Sequence, residues 1–326
     1  MTPEQLVIVW RVYEPCNLGC QFCGYSREIA RKRHVVSPEV ILKFGKLLSE
    51  FQQRTGTQVL VSWLGGEPLL WKSLPALSRT YQHDFGITLG VTTNGTVLDR
   101  EPVRRFLMDH YSLVTISIDG FAAFHDIQRG EAGLFDKLKT YVSLFVKEIG
   151  TRNSSLRLRV NTILMRTNIH SFEAFCLEMA NWGIQELTFN QLGGIDRPEF
   201  YPDNRLLPEQ AAWLVQEMPT IQRNALAKGL KVFGTKPYLE RISATSRDIG
   251  ISIDDCGPGK HFLFINEENQ VSPCSFTTQS YGIPLSQIED VRSLLNLAER
   301  FRYKQVHERA LACNNCMSTQ VFEKFS

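Results

Sequence analysis

Residues 5–26 read QLVIVWRVYEPCNLGCQFCGYS. The first half is apolar and rich in β-branched side chains, the composition of a buried strand. The second half is a loop that carries Cys16, Cys20 and Cys23, three of the chain's eight cysteines. Loop cysteines this dense are rarely there for packing; they bind a metal, form a disulfide or do chemistry. A strand running straight into a reactive loop is a unit that parallel α/β folds use repeatedly, because ligands collect where their strands end.

The chain that follows repeats the unit. SPEVILKFGKLLSEFQQR has Ser37 placed as an N-cap and Pro38 at the first helical position. Strand VLVSWL, a helix around SLPALSRTYQ and strand ITLGVTT come next, then helix REPVRRFLMDHY and strand LVTISI. Helix LFDKLKTYVSLFVKEI, strand LRLRVNTIL, helix SFEAFCLEMANW and strand ELTFNQL complete six strands. Such alternation implies right-handed βαβ units and a parallel sheet. Six units fall short of the eight of a closed barrel, so the expectation is a partial barrel, with a doubly wound sheet as the alternative.

After residue 195 the pattern changes. GGIDRPEFYPDNRLLPEQ reads as a loop, then a helix and the short strand LKVFG. From about Ile251 the chain is turn-rich, and HFLFI and VSPCSF flank the turn NEENQ as a hairpin. A last helix, IEDVRSLLNLAERFRY, precedes CNNC. The expected divisions are 1–195, a connecting segment 196–250, and 251–326.

Composition bounds the function. The 326 residues are 43% hydrophobic, enough for a large core. Lys plus Arg is 36 and Asp plus Glu is 34, so no charge excess points to nucleic acid or an anionic membrane. No stretch reads as a signal peptide or a membrane span. The expected location is the cytoplasm, where clustered cysteines bind metal more often than they pair.

The loop spacing is C-x3-C-x2-C. Structural zinc takes four ligands; the loop offers three, and His34, eleven residues past Cys23 beyond a basic run, reads as a surface histidine. Three thiolates suit a [4Fe–4S] cluster with one iron left open.

With aromatic Phe22 before the third cysteine, the loop resembles the signature of radical S-adenosylmethionine (radical SAM) enzymes. The resemblance implies a partial (β/α)6 TIM-like barrel in which SAM chelates the open iron. It extends to LGGEPLL, with Gly65, Gly66, Glu67 and Pro68, where paired glycines would let backbone carbonyls approach the SAM ammonium. By the same resemblance Thr93 and Asn94 of TTNG lie in reach of SAM, Ser117 of SIDG contacts its carboxylate, and Asn161 contacts the ribose. Each also has a plain structural reading as a turn, a buried hydroxyl or a strand hydrogen bond.

Four more cysteines, Cys256, Cys274, Cys313 and Cys316, follow the pattern C-x17-C, 38 residues, C-x2-C. Zinc is the structural alternative. Beside the first motif they resemble a twitch domain, the short form of SPASM: a small C-terminal unit of β-hairpin plus helix around one auxiliary [4Fe–4S] cluster. Full SPASM domains carry further cysteines after the C-x2-C, and the chain ends ten residues after Cys316 with none. A four-cysteine cluster has no open iron, which suits electron transfer or structural support. The eighth cysteine, Cys176, reads as core filling.

The implied cofactors are two [4Fe–4S] clusters and SAM; the implied partners are a substrate and an electron donor such as flavodoxin or ferredoxin. The implied activity is hydrogen abstraction from an unactivated C–H bond. The region ISIDGFAAFHDIQRGEAGLFD resembles enzymes that oxidatively modify ribosomal peptides. Against that, only 15 residues precede Cys16, too few for a fused leader-binding domain. A dehydrogenase or epimerase of small molecules is the runner-up, and an iron–sulfur electron carrier a third reading that GGEP disfavours. Candidate substrate contacts are Arg197, Tyr201, Asp203, Arg205, Asp255 and His261.

Overall fold

The computed structural model describes residues 5–324. In chain order the elements are β1 (Gln5–Tyr13), α1 (Pro38–Thr55), β2 (Gln58–Gly65), α2 (Leu74–Arg79), β3 (Thr88–Thr93), α3 (Glu101–His110), β4 (Leu113–Ser117), α4 (Ala122–Arg129), α5 (Leu134–Arg152), β5 (Arg157–Leu164), α6 (Phe172–Asn181) and β6 (Glu186–Gln191). There follow α7 (Tyr201–Asn204), α8 (Pro208–Leu226), β7 (Lys231–Val232), α9 (Lys236–Ser246), β8 (Phe262–Ile265), β9 (Gln270–Ser272), α10 (Thr278–Tyr281), β10 (Ile283–Pro284), α11 (Val291–Leu295) and α12 (Leu297–His307).

Strands β1 to β6 pair in sequence order, all parallel, which is the partial barrel core expected. Period-2 alternation sorts each strand into two faces. On β1 the buried set is Leu6, Ile8, Trp10 and Val12. It packs toward the helices, with Trp10 edge-on to Phe44 of α1 at 5.5 Å and Trp63 of β2 edge-on to Tyr81 at 5.0 Å. Fully burying each such aromatic contributes roughly 1.5–3 kcal/mol. The other set, which includes Arg11, Ser117 and Asn161, faces the concave side. Helix α1 begins as its sequence dictates: Ser37 Oγ accepts from the Glu39 N–H, and Pro38 needs no partner for its nitrogen.

The helix expected around SLPALSRTYQ is shorter than the pattern suggested. Residues Leu74–Arg79 are α-helical, and the chain then widens into a π-turn over Thr80–Asp84. That turn seats the Tyr81 hydroxyl on the Ile41 carbonyl at 2.6 Å.

The sheet is also longer than six strands. At one edge β7 pairs parallel with β6. At the other, β8 pairs parallel with β1, Val7–Trp10 lying opposite Phe262–Ile265, and antiparallel β9 and β10 continue outward. The expected hairpin is therefore present and belongs to the same ten-stranded sheet. Because β8 runs parallel to β1, its turn, Asn266–Asn269, emerges at the same end as the cysteine loop. Among the described residues no helix is long and apolar enough to cross a membrane.

Candidate functional site

The loop after β1 is fastened by a buried carboxylate. Glu14, with a side chain only 1% exposed, accepts from Arg31 Nη2 at 2.5 Å and from the His34 N–H at 2.7 Å. The His34 ring is half exposed and turned to the same carboxylate, 3.2 Å away. It is thereby engaged by Glu14, as a surface histidine and not a fourth thiol-side ligand. Within the loop the Arg27 N–H bonds to the Leu18 carbonyl and the Ser26 N–H to that of Cys23.

Each of the three loop cysteines meets a donor from a different source. Asn94 Nδ2 stands 3.9 Å from Cys16 Sγ, Arg129 Nη1 3.9 Å from Cys20 Sγ, and the Tyr25 N–H 3.3 Å from Cys23 Sγ. Burial pushes all three thiols up, Cys23 to about 11. Among the described residues, no three His, Cys, Asp or Glu side chains are grouped so as to hold a single metal ion. Three thiols and an opening beside Cys23 fit a [4Fe–4S] group with one free iron.

The GGEP stretch follows β2 and packs under this loop. A Cβ on Gly65 would sit 2.0 Å from the Tyr13 carbonyl oxygen, and one on Gly66 2.2 Å from that of Glu14 and 2.5 Å from that of Pro15. The chain's own backbone thus demands both glycines, whatever else approaches them. The Gly66 N–H donates to Tyr13 and the Glu67 N–H to Pro15. Pro68 opens a short helical turn, which Glu67 caps through the Leu69 N–H.

Glu67 itself is fully buried. Its Oε1 accepts from Thr93 Oγ1 at 2.8 Å and from the Leu69 N–H at 3.1 Å, and its Oε2 accepts from the Asn94 N–H at 2.6 Å. Burial pushes its carboxyl up to about 7 against those bonds, which pull it down. The carboxylate thereby joins the β2 and β3 loops. Asn94 then reaches forward, its Nδ2 on Asn17 Oδ1 at 2.9 Å, while Asn17 donates to Thr96. Thr93 and Asn94 act here as a brace from Glu67 to the cysteine loop.

Ser117 and Asn161 lie directly opposite each other on β4 and β5. Asn161 Oδ1 accepts from Thr188 Oγ1 and Asn190 Nδ2. Phe22 lies under the Arg129 guanidinium, 5.2 Å from ring centre to Cζ.

A cavity of about 820 Å³ opens beside Phe22 and Cys23. Its walls include Arg11 and Tyr25, Asp196 of the β6 loop, and Glu267 and Phe276 from the hairpin side. Arg11 Nη1 bonds to Glu267 at 3.2 Å, and its guanidinium stacks between Tyr25 and Phe264. A second cavity of about 410 Å³ adjoins it and shares Gly193, Gly194, Ile195 and Phe276. Its far end reaches Ala312, Asn315 and Met317, around the C-terminal cysteine pair. Of the six residues proposed from sequence as substrate contacts, Tyr201 lines this groove. Arg205 backs Tyr201, stacking at 5.1 Å. Arg197 pairs with Glu199, and Asp255 approaches Arg302; with Asp203 and His261, they line neither cavity.

Burial, with smaller contributions from neighbouring C-terminal thiols, pushes Cys256, Cys274 and Cys316 up, Cys256 to about 11. They too receive donors. Gln305 Nε2 is 3.5 Å from Cys256, and the Thr277 hydroxyl is 3.3 Å from Cys274. The Tyr281 hydroxyl accepts the Ala310 N–H at 2.8 Å, leaving its proton for Cys313 Sγ at 3.6 Å. The Cys316 N–H to Ile251 and the Ile253 N–H to Cys313 tie the two ends of the segment. Cys176 lies fully buried on α6.

Sequence reasoning missed Arg11, Asp196 and Glu267. Arg11 carried a signal: a charge on the alternating face of an otherwise apolar strand. Asp196 and Glu267 sit in loops without any local mark.

Comparison with known proteins agrees with this geometry. Residues 10–160 match the Radical SAM superfamily. Fe-coproporphyrin III synthase of Methanosarcina barkeri is 33% identical over 131 residues, 40% of this chain and 31% of that protein. AdoMet-dependent heme synthase of Nitratidesulfovibrio vulgaris is 23% identical over 292 residues, 86% of this chain and 76% of that one. A serine-type anaerobic sulfatase-maturating enzyme of Bacteroides thetaiotaomicron is 35% identical over 133 residues, 38% of this chain and 31% of that protein. The chain thus spans about a third of the length of two of these relatives and three quarters of the other. In structure, Streptococcus suis SuiB bound to S-adenosylmethionine superposes with a TM-score of 0.67 at 15% identity, covering 96% of this chain and 72% of SuiB. The protein anSMEcpe with bound AdoMet gives 0.67 at 15% identity, covering 97% and 85%.

Proposed function

Residues 10–160 are a radical SAM domain, and from that premise we propose that this enzyme oxidatively modifies a ribosomally made peptide. Cys16, Cys20 and Cys23 would hold the SAM-binding [4Fe–4S] cluster, and Cys256, Cys274, Cys313 and Cys316 an auxiliary one. When bound, these groups supply a 5′-deoxyadenosyl radical that takes hydrogen from an unactivated C–H bond, and a second site to receive the remaining electron. The chain's own residues do the rest. Asn94, Arg129 and the Tyr25 amide donate toward the three thiols. Ser117 and Asn161 present polar groups on the concave face where SAM would lie. Phe22, Tyr25, Phe264 and Phe276 contribute aromatic surface to the walls of the cavity, beside Arg11, Asp196 and Glu267.

The observation that carries the peptide reading is the shape of the groove. The larger cavity alone falls within the roughly 300–1,000 Å³ of small-ligand pockets, and the second prolongs it from Cys23 to the C-terminal cysteine pair. A groove of that length has room for an extended chain, which supports the peptide reading. SuiB bound to precursor peptide SuiA and anSMEcpe bound to a peptide share the fold, which supports the reading. The heme synthase similarity over 86% of the chain favours small-molecule oxidation as the second reading.

The test is anaerobic incubation of cluster-loaded protein with SAM, dithionite and the short peptides encoded beside its gene, read by mass spectrometry. A peptide lighter by two hydrogens is expected. Unchanged peptides together with turnover of a tetrapyrrole would overturn the peptide reading in favour of the second.

A further inference from the structure

The segment SIDGFAAFHDIQRG, residues 117–130, does more than end a strand. Arg129, at the last turn of α4, is buried, and its Nε bonds to Asp119 Oδ2 at 2.7 Å, with side chains 10% and 0% exposed. Its Nη1 stands 3.9 Å from Cys20 Sγ, and its carbonyl is 3.9 Å from the same sulfur. Its guanidinium covers Phe22. Among the donors facing the three loop thiols it alone carries a charge.

The surroundings fix that cation in place. The second oxygen of Asp119 accepts the Ile163 N–H, and its carbonyl accepts Asn168 Nδ2 at 2.6 Å. The Asp119 N–H donates to His125 Nδ1 at 3.1 Å. That nitrogen is therefore the acceptor of a neutral ring, as burial, which pushes His125 down to about 4, also requires. The end of α4 also docks on the cysteine loop through backbone. The Gln21 N–H donates to the Gln128 carbonyl at 3.0 Å, and Gly130, at φ 67°, comes so near Gly19 that a Cβ would sit 2.8 Å from its carbonyl oxygen. Asp119, His125, Arg129 and Gly130 converge on one outcome: a guanidinium held against one thiol.

A buried cation with one carboxylate partner is costly to desolvate unless more negative charge lies within reach. A cluster ligated by Cys20 supplies it. We propose, on the radical SAM reading, that Arg129 is a positioning residue that sets the reduction potential of the SAM-binding cluster, with Asp119 as its counterweight. A fixed cation beside a thiolate ligand favours the added electron and so raises the potential; the carboxylate moderates the rise.

The two residues then pull in opposite directions, and the experiment uses this. Cluster-loaded wild type, Arg129→Gln, Arg129→Lys and Asp119→Asn are titrated potentiometrically without SAM, and each cluster's EPR signal is followed. Arg129→Gln is expected to make reduction at least tenfold less favourable, a fall of about 59 mV for one electron. Arg129→Lys should recover part of that fall. Asp119→Asn, which leaves the cation unopposed, should move the potential upward. The signal from the C-terminal cysteines should not move in any variant. A purely structural role predicts loss of iron from both Arg129→Gln and Asp119→Asn, or shifts of one sign. Either result, unmoved potentials, or an effect seen only with SAM present, overturns the proposal. If Arg129→Gln holds no iron, a potential in Asp119→Asn that is unchanged or lower is decisive against it. Absence of any SAM-responsive EPR signal in the wild type would instead sink the radical SAM reading itself.

Discussion

Glu67→Gln separates charge from shape at the most deeply buried carboxyl of the site. The folded protein holds the Glu67 proton to about pH 7, against an ordinary value of 4.5, chiefly because of burial. The folded state thus binds this proton more tightly than the unfolded chain does. The resulting stabilisation is complete below about pH 4.5 and is lost as the pH climbs through 7. At 1.36 kcal/mol per unit the swing is about 3 kcal/mol, most of it between pH 5 and 8. The amide of the Glu67→Gln variant does not titrate and has no such swing. It does leave the Asn94 N–H facing an amide in place of Oε2, a pH-independent cost of about 1–3 kcal/mol. The assay is the thermal midpoint of cluster-loaded protein under argon, wild type against variant at matched scan rates. Comparing the two cancels every other titrating group. At roughly 2 °C per kcal/mol for a chain of this size, the wild-type midpoint should fall relative to the variant by roughly 5 °C from pH 5 to pH 8. A difference that stays flat across that range would refute the buried-carboxyl argument.

Two further outcomes are expected. Anaerobically reconstituted protein should carry about eight irons by the ligand count, and Cys313→Ala with Cys316→Ala should leave about four while 5′-deoxyadenosine still forms from SAM and dithionite; zinc in the C-terminal site of iron-replete protein would contradict the two-cluster assignment. Gly66→Ala should lose the N-terminal iron selectively, because its methyl would sit 2.2 Å from the Glu14 carbonyl oxygen and push the β2 loop off the cysteine loop; full iron content in that variant would show that this packing is not needed to hold the cluster.

Much of this was legible because it is local. The parallel core follows from alternating patterns a dozen residues long, and the thiols announce themselves by spacing. What could not be read is what depends on distant pairing. Nothing in HFLFI says that it will lie beside QLVIVW, some 250 residues earlier, yet that register sets where Glu267 emerges. The GGEP glycines were visible, but their reason was not, since the atoms they must clear belong to Tyr13, Glu14 and Pro15. Thr93 and Asn94 were singled out from the sequence, but their bonds to Glu67 were not, because a sequence does not show that Glu67 will be sealed in and will need their donors.

The β1–β8 pairing also explains why the two cysteine sites flank one groove. A parallel neighbour of β1 must end where β1 ends, so the hairpin turn arrives at the mouth of the barrel without any further device. There Arg11, on the concave face of β1, meets Glu267 of the turn at 3.2 Å with both side chains at most 20% exposed. Tyr25 of the cysteine loop stacks on the same guanidinium and, on its other side, on Arg31, the partner of Glu14. One chain of contacts therefore runs from the fastening of the first cysteine loop, through Arg11, to the hairpin that leads into Cys274. Sheet register and this ion pair thus tie the first cysteine loop to the hairpin that precedes Cys274. On the proposed reading, a substrate in this groove would lose a hydrogen near Cys23 and an electron toward the C-terminal cysteines.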